Sequence, residues 1–330
     1  MKKILLSVSS AIGFFALSYF ALNVFTAQQT APVSTNHEGD FKTNYNIYSL
    51  PTPQKLTFAG EIVPTDILDV KERLDRELLV NTYWQSQTVL FLKRANRYFP
   101  IIEPILKKNG VPDDFKYLAI IESGLENVVS PAGATGFWQI MKGTATDFGL
   151  EVNGYVDERY NLELATQFAC DYLNEAYTKF GSWTLAAASY NMGMNGLKSQ
   201  LQRQKTNNYY DLLFVTETSR YVFRILAVKQ ILSHYDYYGF HVRPQDLYPA
   251  VKTSYFEVDS SIESLADFAY DNKINYKLLK TLNPWLRETK LPNTKQKKYK
   301  IKLPVDGHKV GFKANKIPDF NTDPLLNDAN

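Results

Sequence analysis

From about Pro64 the apolar residues of this 330-residue chain return at helical intervals. Ile67, Val70, Leu74 and Leu78 fall on one face and predict a helix. A second helix is predicted over Gln85–Phe99, with Pro100 and Pro104 marking its end. Pro112-Asp113-Asp114 places carboxylates in a first turn and starts a third, Phe115–Ser123. Asn161–Phe180 repeats the pattern, with Leu164, Phe168, Tyr172, Leu173 and Ala176 on one side and Gly181 as its stop. Trp183–Tyr190 and Glu217–Tyr235 are further helices, and nothing in this stretch alternates convincingly. The fold class expected is mainly α.

After Pro249 the texture changes. Tyr255–Val258 and Tyr299–Leu303 read as short strands. Between them, Ser260-Ser261-Ile262-Glu263 has the form of a capping box leading into Leu265, Phe268 and Ala269. Tyr276–Leu282 is a second short helix, ended by Asn283-Pro284. The result is a small βααβ unit.

The ends of the chain read differently again. Lys2-Lys3 precede an uncharged run from Ile4 to about Phe25, the form of a secretory signal and close to the roughly 20 residues that span a bilayer. Residues 1–27 are therefore expected to be a signal peptide or an N-terminal membrane anchor. Phe25 sits where a cleavage site near Ala27 needs a small residue, and no cysteine follows to carry a lipid. The positive charges before the run leave the remainder outside the cytoplasm, so the expected location is the periplasm or cell envelope. Residues 28–59, rich in Thr, Pro, Asn and Gln, read as a flexible tether, and 305–330 as a polar tail.

Composition narrows the function only a little. A net charge of +3 and the lack of a Lys/Arg run argue against nucleic acid as a partner. The single cysteine, Cys170, excludes an internal disulfide and a cysteine-based metal cluster. With 22 Tyr and 20 Phe the chain has aromatic surface suited to sugar rings, although core packing alone would account for it.

The segment with chemical content begins at Glu122. This carboxylate closes the apolar run Leu118-Ala119-Ile120-Ile121 at a helix C-terminus. Desolvation and the negative end of the helix dipole both disfavour its charge, which would keep a proton available to a glycosidic oxygen near neutral pH. A solvated carboxylate at a frayed helix end is the ordinary alternative. Ser130 and the small residues Gly133, Ala134 and Gly136 follow, leaving room for close approach of a ligand. Trp138-Gln139 then add an aromatic and an amide, a pairing suited to sugar faces and N-acetyl groups, and are expected to begin the wall of a glycan site.

Together, "ESGLENVVSPAGATGFWQIM" (122–141), "AAASYNMG" (186–193) and "ETSRYVFRILA" (217–227) resemble the signature of lytic transglycosylases with a goose-type lysozyme-like (SLT) catalytic domain. The likeness is greatest to the membrane-bound murein transglycosylase D group and covers roughly residues 80–240. It implies Glu122 as catalytic acid and base. It also implies that Ser130, Gly136, Gln139, Met141, Tyr190, Asn191, Glu217 and Tyr221 bind substrate. Met192 departs from the family, which usually has Ala there. The implied reaction cleaves peptidoglycan between N-acetylmuramic acid and N-acetylglucosamine, closing a 1,6-anhydro ring on the muramic residue. No second carboxylate, metal or cofactor is required for it. Glycosidases of the usual kind need a carboxylate pair, and Glu126, Asp147, Asp157 and Glu217 are the candidates for a partner.

"SLADFAYDNKINYKLLKTLNP" (264–284) resembles a LysM domain, a module that binds glycans containing N-acetylglucosamine, with Asp259-Ser260-Ser261 in place of the usual Gly-Asp. Aromatic residues nearby, Trp285 among them, are equally suited to packing on the catalytic domain. The expected organisation is a lysozyme-like catalytic domain at 60–249 followed by a LysM-like domain at 250–304. Peptidoglycan glycan strands are the expected partner, with membrane association through the N-terminal segment. Two readings stay open beside this one: a hydrolytic muramidase on the same fold, and a peptidoglycan-binding scaffold whose active site has decayed.

Overall fold

The computed structural model describes residues 48–305. The export segment expected over 1–27, the tether up to Ile47 and the tail from Asp306 onward lie outside the described residues. The last part of the composition-defined tether is core: Leu56 and Phe58 are buried, and Phe58 sets its ring edge against Phe115. They belong to a small hairpin, β1 (Thr57–Phe58) and β2 (Glu61–Ile62), that turns at Ala59-Gly60.

The helix α1 (Leu68–Tyr83) buries Val70, Leu74 and Leu78 on the face expected. Ile67 does not join them, because it precedes the first turn as N-cap and stays exposed. The next helix, α2 (Gln85–Lys108), corrects the sequence reading by running through both prolines. An interior proline costs about 3 kcal/mol, and its ring frees the carbonyl four residues back. Those carbonyls belong to Asn96 and Pro100, both on the exposed side where water can reach them. Continuing the helix buries Ile102 and Leu106, each worth about 1.5–3 kcal/mol. Tertiary burial overrides the local stop signal.

A 3-10 turn, Asp113–Phe115, leads into α3 (Lys116–Ser123), followed by α4 (Lys142–Asp147) and α5 (Leu162–Phe180). Asn161 caps α5 by accepting from the Leu164 amide at 3.2 Å, and Gly181 ends it in the left-handed region. Leu164 lies in the first turn and is exposed, unlike Phe168, Tyr172, Leu173 and Ala176. Helices α6 (Trp183–Met192) and α8 (Thr216–Ser233) fall near their expected positions, while α7 (Met194–Gln204) was not marked by the apolar pattern. α8 packs along α1 and against α3 and α6; α5 packs against α2 and α6.

Leu185, Ala186, Ala187, Ala188 and Ser189 leave α6 buried on nearly every side, as its lack of amphipathicity requires. Its N-terminus is satisfied from the hairpin. The Glu61 carboxylate accepts from the Trp183 amide at 2.6 Å, the Thr184 amide at 3.0 Å and the Ser182 hydroxyl at 2.9 Å. A negative charge there suits the positive end of the helix dipole.

The C-terminal unit has the expected βααβ order: β3 (Thr253–Val258), α9 (Leu265–Asp271), α10 (Tyr276–Leu282) and β4 (Tyr299–Pro304). β3 and β4 pair antiparallel, with Phe256 opposite Ile301. The cap of α9 is not the expected Ser260 but Ser264, whose hydroxyl accepts from Asp267 N at 3.1 Å. Ser261 instead accepts from Asn293 N at 2.8 Å. Buried Asn283 ties the end of α10 to β4, donating to Lys302 O and accepting from Lys302 N. The hydrophobic cluster of this unit takes in Val156 and Tyr160 from the helical region, so the two cores meet. The mainly α class and the small βααβ unit are thus borne out.

Candidate active site

Helix α3 is short and buried from Tyr117 to Ile121, and Glu122 lies in its last turn. Gly124 ends the helix with φ of 64°, and a Cβ there would lie 3.1 Å from both Gln87 Nε2 and Phe91 Cε1. Both the left-handed turn and the close side chains favour glycine. The open carbonyls at this end are held by two guanidinium groups: Arg224 donates to Ile121 O at 2.9 Å and Arg94 to Gly124 O at 3.0 Å. The helix-end charge expected to act on Glu122 is therefore partly neutralised. Burial remains, and it is the dominant influence.

Helix α8 brings three residues to this carboxylate, Glu217, Tyr221 and Arg224, spaced i, i+4 and i+7 on one face. The Tyr221 hydroxyl donates to Glu122 Oε1. Burial pushes the Glu122 carboxyl up to about 7; the Tyr221 hydrogen bond and the Arg224 charge pull it down, and Glu217 adds to the rise. The hydroxyls of Tyr190 and Tyr221 are held well above the usual tyrosine range, first by burial and next by the Glu122 charge. Both remain protonated donors beside it.

The loop after α3 is a folded platform. Val129 bridges Thr135, and Thr135 bridges Ile140. Ser130 Oγ accepts from Ala134 N at 3.0 Å, which leaves its own proton to donate. Gly136 corrects the expectation of space for a ligand. A Cβ on it would lie 2.2 Å from Arg159 O, so its smallness admits a neighbouring backbone. Trp138 is fully buried and donates its indole N–H to Thr166 Oγ1 at 2.9 Å, so its ring forms core and not a cleft wall. Gln139 has φ of 47° and donates to Val128 O and Gly136 O, so both its amide hydrogens hold the loop. Met141 stays exposed, as do Val128 and Val129 of the same loop.

From α6, Tyr190 donates to Trp138 O at 2.9 Å, and Asn191 Oδ1 accepts from Thr218 Oγ1 at 2.9 Å. Glu122, Tyr190, Glu217 and Tyr221 are therefore brought together. Ser130, Gly136, Gln139 and Met141 sit on the loop, and Asn191 braces α6 on α8.

Two of the other carboxylates considered as partners of Glu122 are held by arginines. Glu126 pairs with Arg94 at 2.7 Å, and buried Asp157 pairs with Arg159 at 2.8 Å. Asp147 is exposed at the end of α4, and Glu217 is exposed in the first turn of α8. Among the described residues, no group of three or more His, Cys, Asp or Glu is placed to hold a metal ion. Cys170 is buried, and burial pushes its thiol up to about 12, as suits an inert core residue. Two surface cavities, of about 310 and 340 Å³, lie away from Glu122, one at Tyr155 and Glu288 and one at Glu61 and Tyr210. Sequence reasoning missed Arg224 and Arg159. Arg224 stood in plain view at i+3 from Tyr221, while nothing local marks Arg159.

Comparison with known proteins bears out the resemblance. Residues 99–213 match the Transglycosylase SLT domain, and residues 254–307 match the Soluble lytic transglycosylase C-terminal LysM-like domain. Glu122, Ser130 and Tyr190 lie inside the first match; Glu217 and Tyr221 lie beyond it. Membrane-bound lytic murein transglycosylase D of Escherichia coli K12 is 28% identical over 228 residues, 67% of this chain and 49% of that protein. Its counterpart in E. coli O6:H1 matches equally. The chain thus spans about half the length of the curated relatives it matches. Among solved structures, the 70 kDa soluble lytic transglycosylase SLT70 from E. coli is similar over 42% of this chain and 24% of its own, at 24% identity and a TM-score of 0.35. An inactive mutant of lytic transglycosylase Slt from Pseudomonas aeruginosa is similar over 46% and 26%, at 21% identity and a TM-score of 0.36.

Proposed function

We propose that the chain is a peptidoglycan lytic transglycosylase that cleaves the β-1,4 bond between N-acetylmuramic acid and N-acetylglucosamine, with Glu122 as its single acid and base. The observation that carries this is the state of Glu122: a carboxyl held near neutrality by burial, with a tyrosine donor fixed on one oxygen. With Oε1 accepting from Tyr221, the acidic proton resides on Oε2 and is given to the bridging glycosidic oxygen. Arg224 and Tyr221 then stabilise the carboxylate that this leaves. The carboxylate takes the proton of the muramic C6 hydroxyl, whose oxygen closes on C1 as the 1,6-anhydro ring. The pairing of Glu126 with Arg94 and of Asp157 with Arg159 favours this route over a two-carboxylate hydrolysis.

Ser130, Gln139 and Met141 line the substrate side of the loop in this reading, while Gly136, Tyr190 and Asn191 hold that side in place. Residues 60–249 form the catalytic domain and 250–304 the LysM-like domain. The N-terminal segment, 1–27, directs the chain to the envelope, as a signal peptide or as a membrane anchor. Among the described residues no helix is long and apolar enough to cross a membrane.

Digestion of purified peptidoglycan, read by mass spectrometry, tests the proposal. Fragments ending in anhydro sugars, lighter by one water than reducing ends, are expected from the native chain and none from Glu122→Gln. Reducing ends would replace this reading with hydrolysis, and retained binding without cleavage would replace it with the scaffold.

A further inference from the structure

A short segment of the helical domain, 151–160, pairs with the C-terminal domain. Val156 bridges Leu286; Asp157 N donates to Trp285 O at 2.9 Å, and Arg287 N donates to Tyr155 O at 2.8 Å. The segment is thus paired, backbone to backbone, with the C-terminal unit. Val156 and Tyr160 lie inside that unit's own apolar cluster, and the Arg287 guanidinium covers the Tyr160 ring at 4.0 Å. Lys297 adds ion pairs to Glu151 at 2.7 Å and Glu158 at 2.8 Å.

The opposite side of the same segment faces the loop that follows Glu122. The Asp157 carboxylate accepts from Arg159 Nε at 2.9 Å and from Nη2 at 2.8 Å, a fork that fixes the guanidinium plane. The remaining nitrogen, Nη1, donates to Gly133 O at 3.2 Å, in the turn between Val129 and Thr135, and to Ile140 O at 3.1 Å, near the end of the loop. Arg159 O fills the space that glycine leaves at position 136. Both side chains of the pair are buried, and this fork is satisfied within the protein. A buried ion pair contributes little net stability once desolvation is counted, but it can fix one geometry.

We propose that Arg159 is a positioning residue for the glycan-contacting loop, and that the C-terminal domain acts as its backstop by fixing the 151–160 segment. The proposal rests on the function assigned above. Grip on the glycan then depends on a domain that need not touch the scissile bond. The contact between Tyr221 and Glu122 is made by α8 and α3 and does not pass through Arg159. Loss of the fork should therefore raise KM more than it lowers kcat. A loop displaced by about 1 Å can cost up to about 100-fold in efficiency.

The test compares full-length native chain with Arg159→Lys, Asp157→Asn, the double variant Arg287→Ala/Lys297→Ala, and Lys302→Ala on soluble peptidoglycan fragments. Lys302 pairs with Glu163 in the same domain contact but away from the fork, at 2.6 Å. In the first three variants KM is expected to rise about 10-fold or more, with kcat within about threefold and the same alkaline limb of the pH profile. Lys302→Ala should match the native chain. Native KM in folded Asp157→Asn and Arg159→Lys would overturn the positioning role; native KM in Arg287→Ala/Lys297→Ala would overturn the backstop. An equal rise in Lys302→Ala would mark a generic domain-contact effect and also overturn it. Hydrogen exchange over 128–141 in Asp157→Asn gives a reading independent of turnover. Faster exchange there than in the native chain is expected, and unchanged exchange contradicts the proposal. If the native chain cleaves nothing, the proposed function fails, while the exchange result still decides whether the fork holds the loop.

Discussion

Replacing Glu122 with glutamine should make the protein more stable, and increasingly so as pH rises. The carboxyl is raised from an ordinary 4.5 to about 7 by burial. Below pH 4.5 it is neutral in both folded and unfolded chains and contributes no difference. Between about 4.5 and 7 the unfolded chain loses its proton while the folded chain keeps it, so folding is progressively disfavoured. Above 7 the folded chain is charged as well, and the full penalty is reached. At 1.36 kcal/mol per pKa unit, that penalty is about 3 kcal/mol. Glutamine keeps the shape and an oxygen to accept from Tyr221, yet cannot ionise. Urea unfolding of the native chain and of Glu122→Gln, at pH 4 and at pH 8, measures it. The gap between the two proteins should move by about 3 kcal/mol in favour of glutamine between these pH values. Other titrating groups are common to both and cancel. A gap that stays constant with pH would show that Glu122 is not held neutral, and the reasoning for a single buried acid would fall with it.

Other consequences can be checked separately. Tyr221→Phe removes a donor that favours the charged form of Glu122. A hydrogen bond to a charged group is worth about 1.5–3 kcal/mol, so the alkaline limb of the pH–activity profile should move upward by about one to two units; an unmoved or lowered limb would contradict the assignment. Glu61→Ala removes the acceptor for the first two amides of α6, with an expected loss of about 2 kcal/mol in urea unfolding. A loss under about 0.5 kcal/mol would mean that solvent replaces the carboxylate without penalty.

Much of the helical frame was legible because its apolar residues recur with the helix period. Val70, Leu74 and Leu78 are one buried face, and α10 begins and ends where Tyr276 and Asn283 say it should. Reading failed where a local signal competed with distant packing. Pro100 and Pro104 are helix breakers by chemistry, yet buried Ile102 and Leu106 carry α2 past them. Ser260 and Ser264 both offer caps, and only the second meets an amide of α9. At the site, an apolar run ending in Glu122 was enough to anticipate a carboxyl resistant to ionisation. The partners that complete it come from far along the chain. Arg224 reaches back to Ile121 O from another helix, and Arg159 reaches Gly133 O and Ile140 O. Such contacts leave no periodic trace. Trp138 and Gly136 misled for the same reason: a tryptophan and a glycine beside a candidate site suggest a ligand, but here their partners are Thr166 and Arg159.

The claim that one carboxylate suffices, with the nucleophile coming from the sugar itself, is tested most directly by digesting peptidoglycan with the native chain in water enriched in oxygen-18. Products cut at the muramic C1 are expected to end in anhydro rings carrying no label. Incorporation of oxygen-18 at C1 of the new ends would show that water is the nucleophile and would contradict the account.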